Sequence, residues 1–281
     1  MEEKRIITVQ LIDAYIAWLR EKGRARNTLD KYRRDLGKLY QWLEGRSLTP
    51  MLAAEWRDDL QACYAATSVN SMLAAANVFF EWMGWPELKL SFLKIQRKTF
   101  CDKNKELDKA DYEKLIAEAK KQGNERLCLL LETGCGLGLR VSEIRFITLE
   151  AAAAGKAEIS MKGKIRTIII PRKLSRKLRD YAKKHDIKSG EIFITRSGRS
   201  LSRSQIWREM KKLSESAGVD SAKVFPHNLR HLFARTYYKQ HGDIVKLADI
   251  LGHSSIETTR IYLISTGEEH ARQLEMLGLV S

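Results

Sequence analysis

Phe225-Pro226-His227-Asn228-Leu229-Arg230-His231 is followed, further along the chain, by Leu251-Gly252-His253-Ser254-Ser255-Ile256-Glu257-Thr258-Thr259-Arg260-Ile261-Tyr262. Pro226 sets the entry to a helix on which His227 and Arg230, at i and i+3, share a face and can reach one small anion. Arg230 offers a planar fork for two non-bridging phosphate oxygens, which a lysine could not mimic. Leu251-Gly252 reads as a helix C-terminus with its glycine cap, Ser254 or Ser255 as the next N-cap, and Tyr262 as part of a mixed polar helix. Taken singly, these are a solvated helix start, a buried hydrogen-bonding histidine and a half-buried aromatic. Together, cations, imidazoles and one phenol suit a phosphodiester. His231 points elsewhere on its helix and reads as structural. Tyr237 and Tyr238 are competing phenols, but they follow His227 and Arg230 too closely on one helix to attack an anion held there.

Upstream, Gly134-Cys135-Gly136-Leu137-Gly138 precedes Arg140-Val141-Ser142-Glu143. The glycine spacing is not that of a dinucleotide fingerprint, and the preceding run is helical in pattern. The glycines are expected to make tight turns that carry Arg140 into a cleft. An arginine among Leu137, Leu139 and Val141 is costly to bury unless it meets an anion; Glu143, three residues on, makes a structural ion pair the competing reading.

The chain has 281 residues, 44% of them hydrophobic, enough for a buried core and about two domains. Its formal net charge of +15 points to a polyanion, nucleic acid or an anionic membrane surface. The most apolar run, Leu127 to Gly134, is interrupted by Glu132 and is too short to span a bilayer. The N-terminus lacks the apolar region of a signal peptide, so a cytoplasmic protein is expected. Cys63, Cys101, Cys128 and Cys135 include no C-x-x-C pair, and neither a metal site nor a disulfide framework is expected.

Val9, Ile12, Ile16 and Leu19 recur at helical spacing and end at Gly23; Asn27-Thr28 is expected to cap a second helix carrying Leu29, Tyr32, Leu36, Leu39, Tyr40 and Leu43. Segments around Ala53 to Tyr64 and Val69 to Trp82 complete an all-helical bundle over residues 1–93. Residues 94–105 carry Lys94, Arg97, Lys98, Lys103 and Lys105 against Asp102, a net of 5 − 1 = +4. That composition fits a linker lying along DNA and fits a merely soluble hinge equally well. A second domain, 106–281, begins with a capping aspartate before Tyr112, Leu115 and Ile116. Ala157 to Pro171 reads as a hairpin turning at Lys162-Gly163-Lys164, and a short strand is expected near Ile192-Phe193-Ile194. The run Ala151 to Ala154 is unusual for the surface loop expected there. Ser265-Thr266-Gly267 breaks the helix of Tyr262, and a last helix from Glu268 carries Ala271, Leu274 and Leu277.

The Gly-x-Arg-x-Ser-Glu segment, His-x-x-Arg-His, Leu-Gly-His and a tyrosine nine residues beyond the histidine resemble, in that order, the signature of the tyrosine recombinases, the phage-integrase and Xer-like family of DNA strand-exchange enzymes. Thr28-Leu29-Asp30-Lys31-Tyr32-Arg33-Arg34-Asp35-Leu36 resembles part of that family's core-binding domain. The resemblance implies a mainly α, two-domain protein: an all-α, SAM-like core-binding bundle, then a mixed α+β catalytic domain with a small antiparallel sheet and a C-terminal docking helix. It implies Tyr262 as nucleophile, Arg140 and Arg230 on the scissile phosphate, His227 and His253 assisting, and Glu143 in support. The family's basic hairpin reads Lys-Gly-x-x-x-Arg; here Lys162 is expected as the catalytic lysine, Lys164 is the alternative, and Lys164 and Arg166 are candidate DNA contacts. The implied partners are double-stranded DNA with an inverted-repeat core site and further copies of the chain, a dimer on a site and a tetramer in the synapse, at the bacterial nucleoid. No metal, cofactor or membrane is implied. A topoisomerase IB-like relaxase and a catalytically silent DNA-binding protein are the competing readings.

Overall fold

In the computed structural model the described residues are 4–96, 103–161, 164–264 and 267–278. They form two compact units, Met1–Arg97 and Lys98–Ser281. The first is all helical: α1 (Val9–Glu21), α2 (Arg26–Leu43), α3 (Pro50–Cys63) and α4 (Ala66–Trp82). Thr8 caps α1 and Thr49, followed by Pro50, caps α3. Asn27 and Thr28 are not the caps of α2. They lie inside its first turn, because the amides of Thr28 and Leu29 already donate to the Ala25 carbonyl. Tyr15, Leu39, Trp56, Phe79 and Phe80 fill the core. Asn70 and Asn77, two turns apart on α4, each exchange a donor and an acceptor with the backbone of Leu93 and Leu90, pinning the strap that leaves the bundle.

The second unit contains α5 (Lys109–Lys121), α6 (Glu125–Gly136), a 3₁₀ segment (Val141–Phe146), α7 (Leu149–Ala154), the antiparallel hairpin β1 (Lys156–Met161) and β2 (Lys164–Ile169), α8 (Arg172–Lys184), α9 (Arg203–Ser216), α10 (Pro226–His241), α11 (Ile244–Leu251), α12 (Ile256–Arg260), a 3₁₀ turn (Ile261–Leu263) and α13 (Gly267–Glu275). Asp108 caps α5, as expected. The hairpin pairs Ile159 with Arg166 and turns Ala157, Ile159 and Ile168 to the core. The alanine run is helix α7, not a loop: Ala152 is buried against α8, and its carbonyl accepts from Ser175 Oγ at 2.6 Å. Near Ile192 the expected strand is only two isolated bridges, Thr148 with Glu191 and Ile194 with Ser200. Ile192 and Phe193 are both buried in succession, so the alternation of a one-sided strand is absent.

The glycine-rich segment also differs from the expected series of turns. α6 runs through Gly134 and Gly136, and only Gly138 has a positive φ, +59°. A side chain there would meet the Phe233 ring at 2.5 Å, so this glycine lets the Arg140 segment close on α10. Gly138→Ala is therefore expected to lose roughly 1–3 kcal/mol of stability, through strained backbone and collision together. Gly136→Ala, helical with open space at its Cβ position, should be neutral or stabilising. Urea unfolding of both variants checks this, and equal effects would contradict it.

Candidate active site

Glu143 is buried at the centre of the cluster, on the 3₁₀ segment after Arg140. Its carboxylate accepts from the Arg140 amide at 2.8 Å, Arg140 Nη1 at 2.9 Å and Arg166 Nη2 at 2.6 Å, with Arg230 Nη1 at 3.9 Å. The ion pair weighed from the sequence is thus present. It does not use up Arg140, whose side chain stays 40% exposed and lines a cavity of about 590 Å³ with Arg166, His253 and Thr258. A larger cavity, about 970 Å³, lies around the N-terminal end of α6 and holds none of these groups.

Arg166, a candidate DNA contact, is engaged within the protein: from β2 its Nη1 donates to the Ile250 carbonyl at 2.7 Å while Nη2 binds Glu143. Its stem occupies the space over Gly252, where a Cβ would lie 2.5 Å from Arg166 Cδ. Gly252, at φ +64°, caps α11 and leads into His253, as the sequence suggested.

Arg230 is fully buried. Its Nη1 donates to the Gly138 carbonyl and its Nη2 to the Leu251 carbonyl, both at 2.7 Å, and Nη2 lies 2.8 Å from His253 Nε2. A guanidinium only donates, so His253 Nε2 accepts; the proton sits on Nδ1, 2.8 Å from Thr259 Oγ1. Desolvation and then the charge of Arg140 push Arg230 down to about 10 against the opposing pull of Tyr262 and Glu143, still protonated at pH 7.

Tyr262, on the 3₁₀ turn after α12, is 7% exposed. Its Oη is 3.5 Å from His227 Nε2, and its ring lies over His231, His253 and His227 with centroids 4.4, 5.4 and 5.5 Å apart. Tyr237 packs on Phe233 and His241, and Tyr238 is exposed, so neither joins the cluster. Burial and surrounding cations lower His227, and push His231 and His253 down to about 4.

Arg140, Glu143, His227, Arg230, His253 and Tyr262 therefore come together from separate segments. Lys162, Arg97 and Lys98 lie outside the described residues, as do the side chains of Lys103 and Lys164; Lys94 and Lys105 are exposed. Sequence reasoning missed Thr259, which orients His253, and Glu106, which bonds Arg235 and lies beside His231. Thr259 stands three residues before Tyr262, a helical spacing that could have flagged it. Among the described residues, no group of His, Cys, Asp and Glu could hold a metal ion, and no helix is long and apolar enough to cross a membrane.

The phage integrase family profile matches residues 105–269, and that of the phage integrase N-terminal SAM-like domain matches 12–86. The chain belongs to the phage integrase family and is a tyrosine recombinase. It is 30% identical over its whole length to tyrosine recombinase XerA of Pyrococcus furiosus, covering 98% of that protein. It is 32% identical to tyrosine recombinase XerD of Ralstonia nicotianae, over 87% of this chain and 85% of the relative. The fold matches a lambda integrase dimer bound to a COC′ core site with a TM-score of 0.72 at 18% identity, covering 92% of this chain and 78% of that one.

The depressed histidines fix a pH dependence. Between about 4 and 6.5 the unfolded chain binds protons that folded His231 and His253 refuse, so stability falls as pH falls through that window. The urea midpoint of the wild type should drop over this range more steeply than that of His253→Gln. Parallel pH profiles would contradict the buried, neutral assignment.

Proposed function

We propose that this recombinase cleaves and rejoins double-stranded DNA at an inverted-repeat core site through a 3′-phosphotyrosyl intermediate formed on Tyr262. The observation that carries the reading is the convergence of Tyr262, His227, Arg230, His253 and Arg140 around Glu143. Tyr262 Oη attacks the scissile phosphorus as His227 Nε2 takes the phenolic proton; the bond to O5′ breaks, and Lys162 returns a proton to that oxygen. His227 is suited to accept because burial and Arg230 keep it neutral. Arg140 and Arg230 stabilise the non-bridging oxygens. His253 first orients Arg230, and donates to the phosphoryl group only after its proton moves to Nε2. Attack by a 5′-hydroxyl from a second duplex reverses the step on a new partner, so strand exchange, through a Holliday junction, needs no nucleotide hydrolysis.

Residues 1–93 and 106–281 would both engage the duplex as a clamp, with 94–105 contributing phosphate contacts through its basic residues. α13, on which Leu274 is exposed, and the exposed Leu277 just beyond its end, where the sequence had placed it on the helix, would dock in a neighbouring copy, coupling two chains on a site and four in a synapse. Such an enzyme works in the cytoplasm, at the nucleoid. The support is the relatives' recombinase identity and the charge of +15.

Tyr262→Phe should bind a target half-site normally and form no covalent complex on a nicked suicide duplex; trapping by this variant would assign another nucleophile. Lys162→Ala should slow cleavage of an ordinary phosphodiester far more than of a 5′-bridging phosphorothiolate, whose sulfur leaves unprotonated. Equal slowing rejects the acid role of Lys162, and selective rescue of Lys164→Ala transfers that role to Lys164.

A further inference from the structure

Asn228, His231 and Arg235 form one stripe of α10, beside the face carrying His227 and Arg230. All three meet the chain where it enters the catalytic unit. Asn228, itself buried, donates through Nδ2 to the carbonyls of Lys105 and Lys223, each at 2.8 Å. Arg235 donates from Nη2 to the Leu107 carbonyl at 2.6 Å and from Nη1 to the Glu106 carboxylate. The other Glu106 oxygen lies 3.7 Å from His231 Nδ1. Segment 105–107 is thereby strapped along α10, with Leu107 fully buried.

His231 also faces Tyr262. Its ring makes the nearest of the three imidazole contacts to the phenol, 4.4 Å between centroids against 5.4 and 5.5 Å for His253 and His227. It stays neutral at pH 7, since burial and the neighbouring His227 and Arg235 oppose its charging. No step of the proposed reaction uses it.

We propose that His231 is a positioning residue, the seat on which the phenol of Tyr262 rests, and that Glu106 ties this seat to the strap at the start of the catalytic unit. The inference rests on Tyr262 being the nucleophile. A flat, neutral ring limits where the phenol can lie without competing for its proton, and the Glu106 carboxylate, held by Arg235, stands 3.7 Å from one edge of that ring and bounds its movement. The strap follows directly on the basic segment 94–105, so a shift of that segment reaches the nucleophile through two side chains.

The test uses the full chain at saturating concentration on a nicked suicide duplex, following covalent complex formation in a single turnover. His231→Ala should slow the reaction about tenfold or more, as misplacement of a reactant does, while half-site affinity stays unchanged. His231→Phe, which restores a ring of similar extent, should recover most of the rate; a ring that does not rescue would overturn the seat. Glu106→Ala should slow the wild type but add little to His231→Ala, a non-additive cycle; additive effects would break the proposed tie. Should His231→Ala fail to fold, His231→Gln replaces it, and wild-type cleavage by either variant overturns the seat. Tyr262→Phe run in parallel separates the two levels: adduct formation by that variant means the nucleophile assignment has failed, not the seat.

Discussion

One buried carboxylate holds the catalytic unit's polar centre together. Glu143 accepts from the Arg140 backbone, from the side chains of Arg140 and Arg166, and lies 3.9 Å from Arg230. Three guanidinium groups gathered in one cleft repel each other strongly where water is scarce, and only an anion in their midst makes the arrangement tenable. Removing one partner from such a buried set costs roughly 3–5 kcal/mol, because the remaining charges are left uncompensated. Glu143 therefore acts through geometry. It fixes Arg140 at the cavity wall and Arg166 behind it.

From Arg166 the constraint spreads. Its second bond, to the Ile250 carbonyl, joins β2 to the end of α11, and its stem requires glycine at position 252. The turn at Gly252 in turn places His253, whose Nδ1 is oriented by Thr259 and whose Nε2 accepts from Arg230. Arg230 closes the circuit through the carbonyls of Gly138 and Leu251. Hairpin, 3₁₀ segment, α10 and α11 are thus linked by side-chain bonds to backbone carbonyls rather than by apolar packing alone. Such bonds set direction as well as proximity, which a reaction centre demands.

Local chemistry was legible in the sequence; long-range chemistry was not. Helical periodicity and glycine caps placed α1, α11 and the hairpin because those signals lie within one or two turns of chain. His227 with Arg230, and Arg140 with Glu143, were readable as pairs for the same reason. The misreadings arose where neighbours decide. Ala151 to Ala154 is helical with Ala152 packed beneath Ser175, and of the three glycines only Gly138, which closes on Phe233, leaves the helical conformation. The bonds of Arg166 to Glu143 and Ile250 were not legible either, since those partners are far away in sequence. Glu106 and Arg235 are separated by most of the catalytic unit and carry no local sign of each other.

The charge of the cluster also bears on the proposed chemistry. Among the described residues, Arg140, Arg166 and Arg230 against Glu143 leave 3 − 1 = +2, to which the proposed acid Lys162 would add, and the three imidazoles add nothing at pH 7 because burial and nearby cations keep them neutral. A phosphodiester brings one negative charge, while the five-coordinate species formed by phenolate attack carries two. A fixed positive excess would therefore stabilise the doubly charged transition state more than bound DNA, and charge complementary to the transition state is what lowers a barrier. Protonated histidines would raise the excess and favour the ground state as well. Arg230 donates from both Nη atoms to carbonyls while its buried Nε has no partner among the described residues, so in the proposed reaction a phosphate would compete with Gly138 and Leu251 for the two Nη donors. An anion outcompetes a neutral carbonyl for a guanidinium, the more so in a dry cleft.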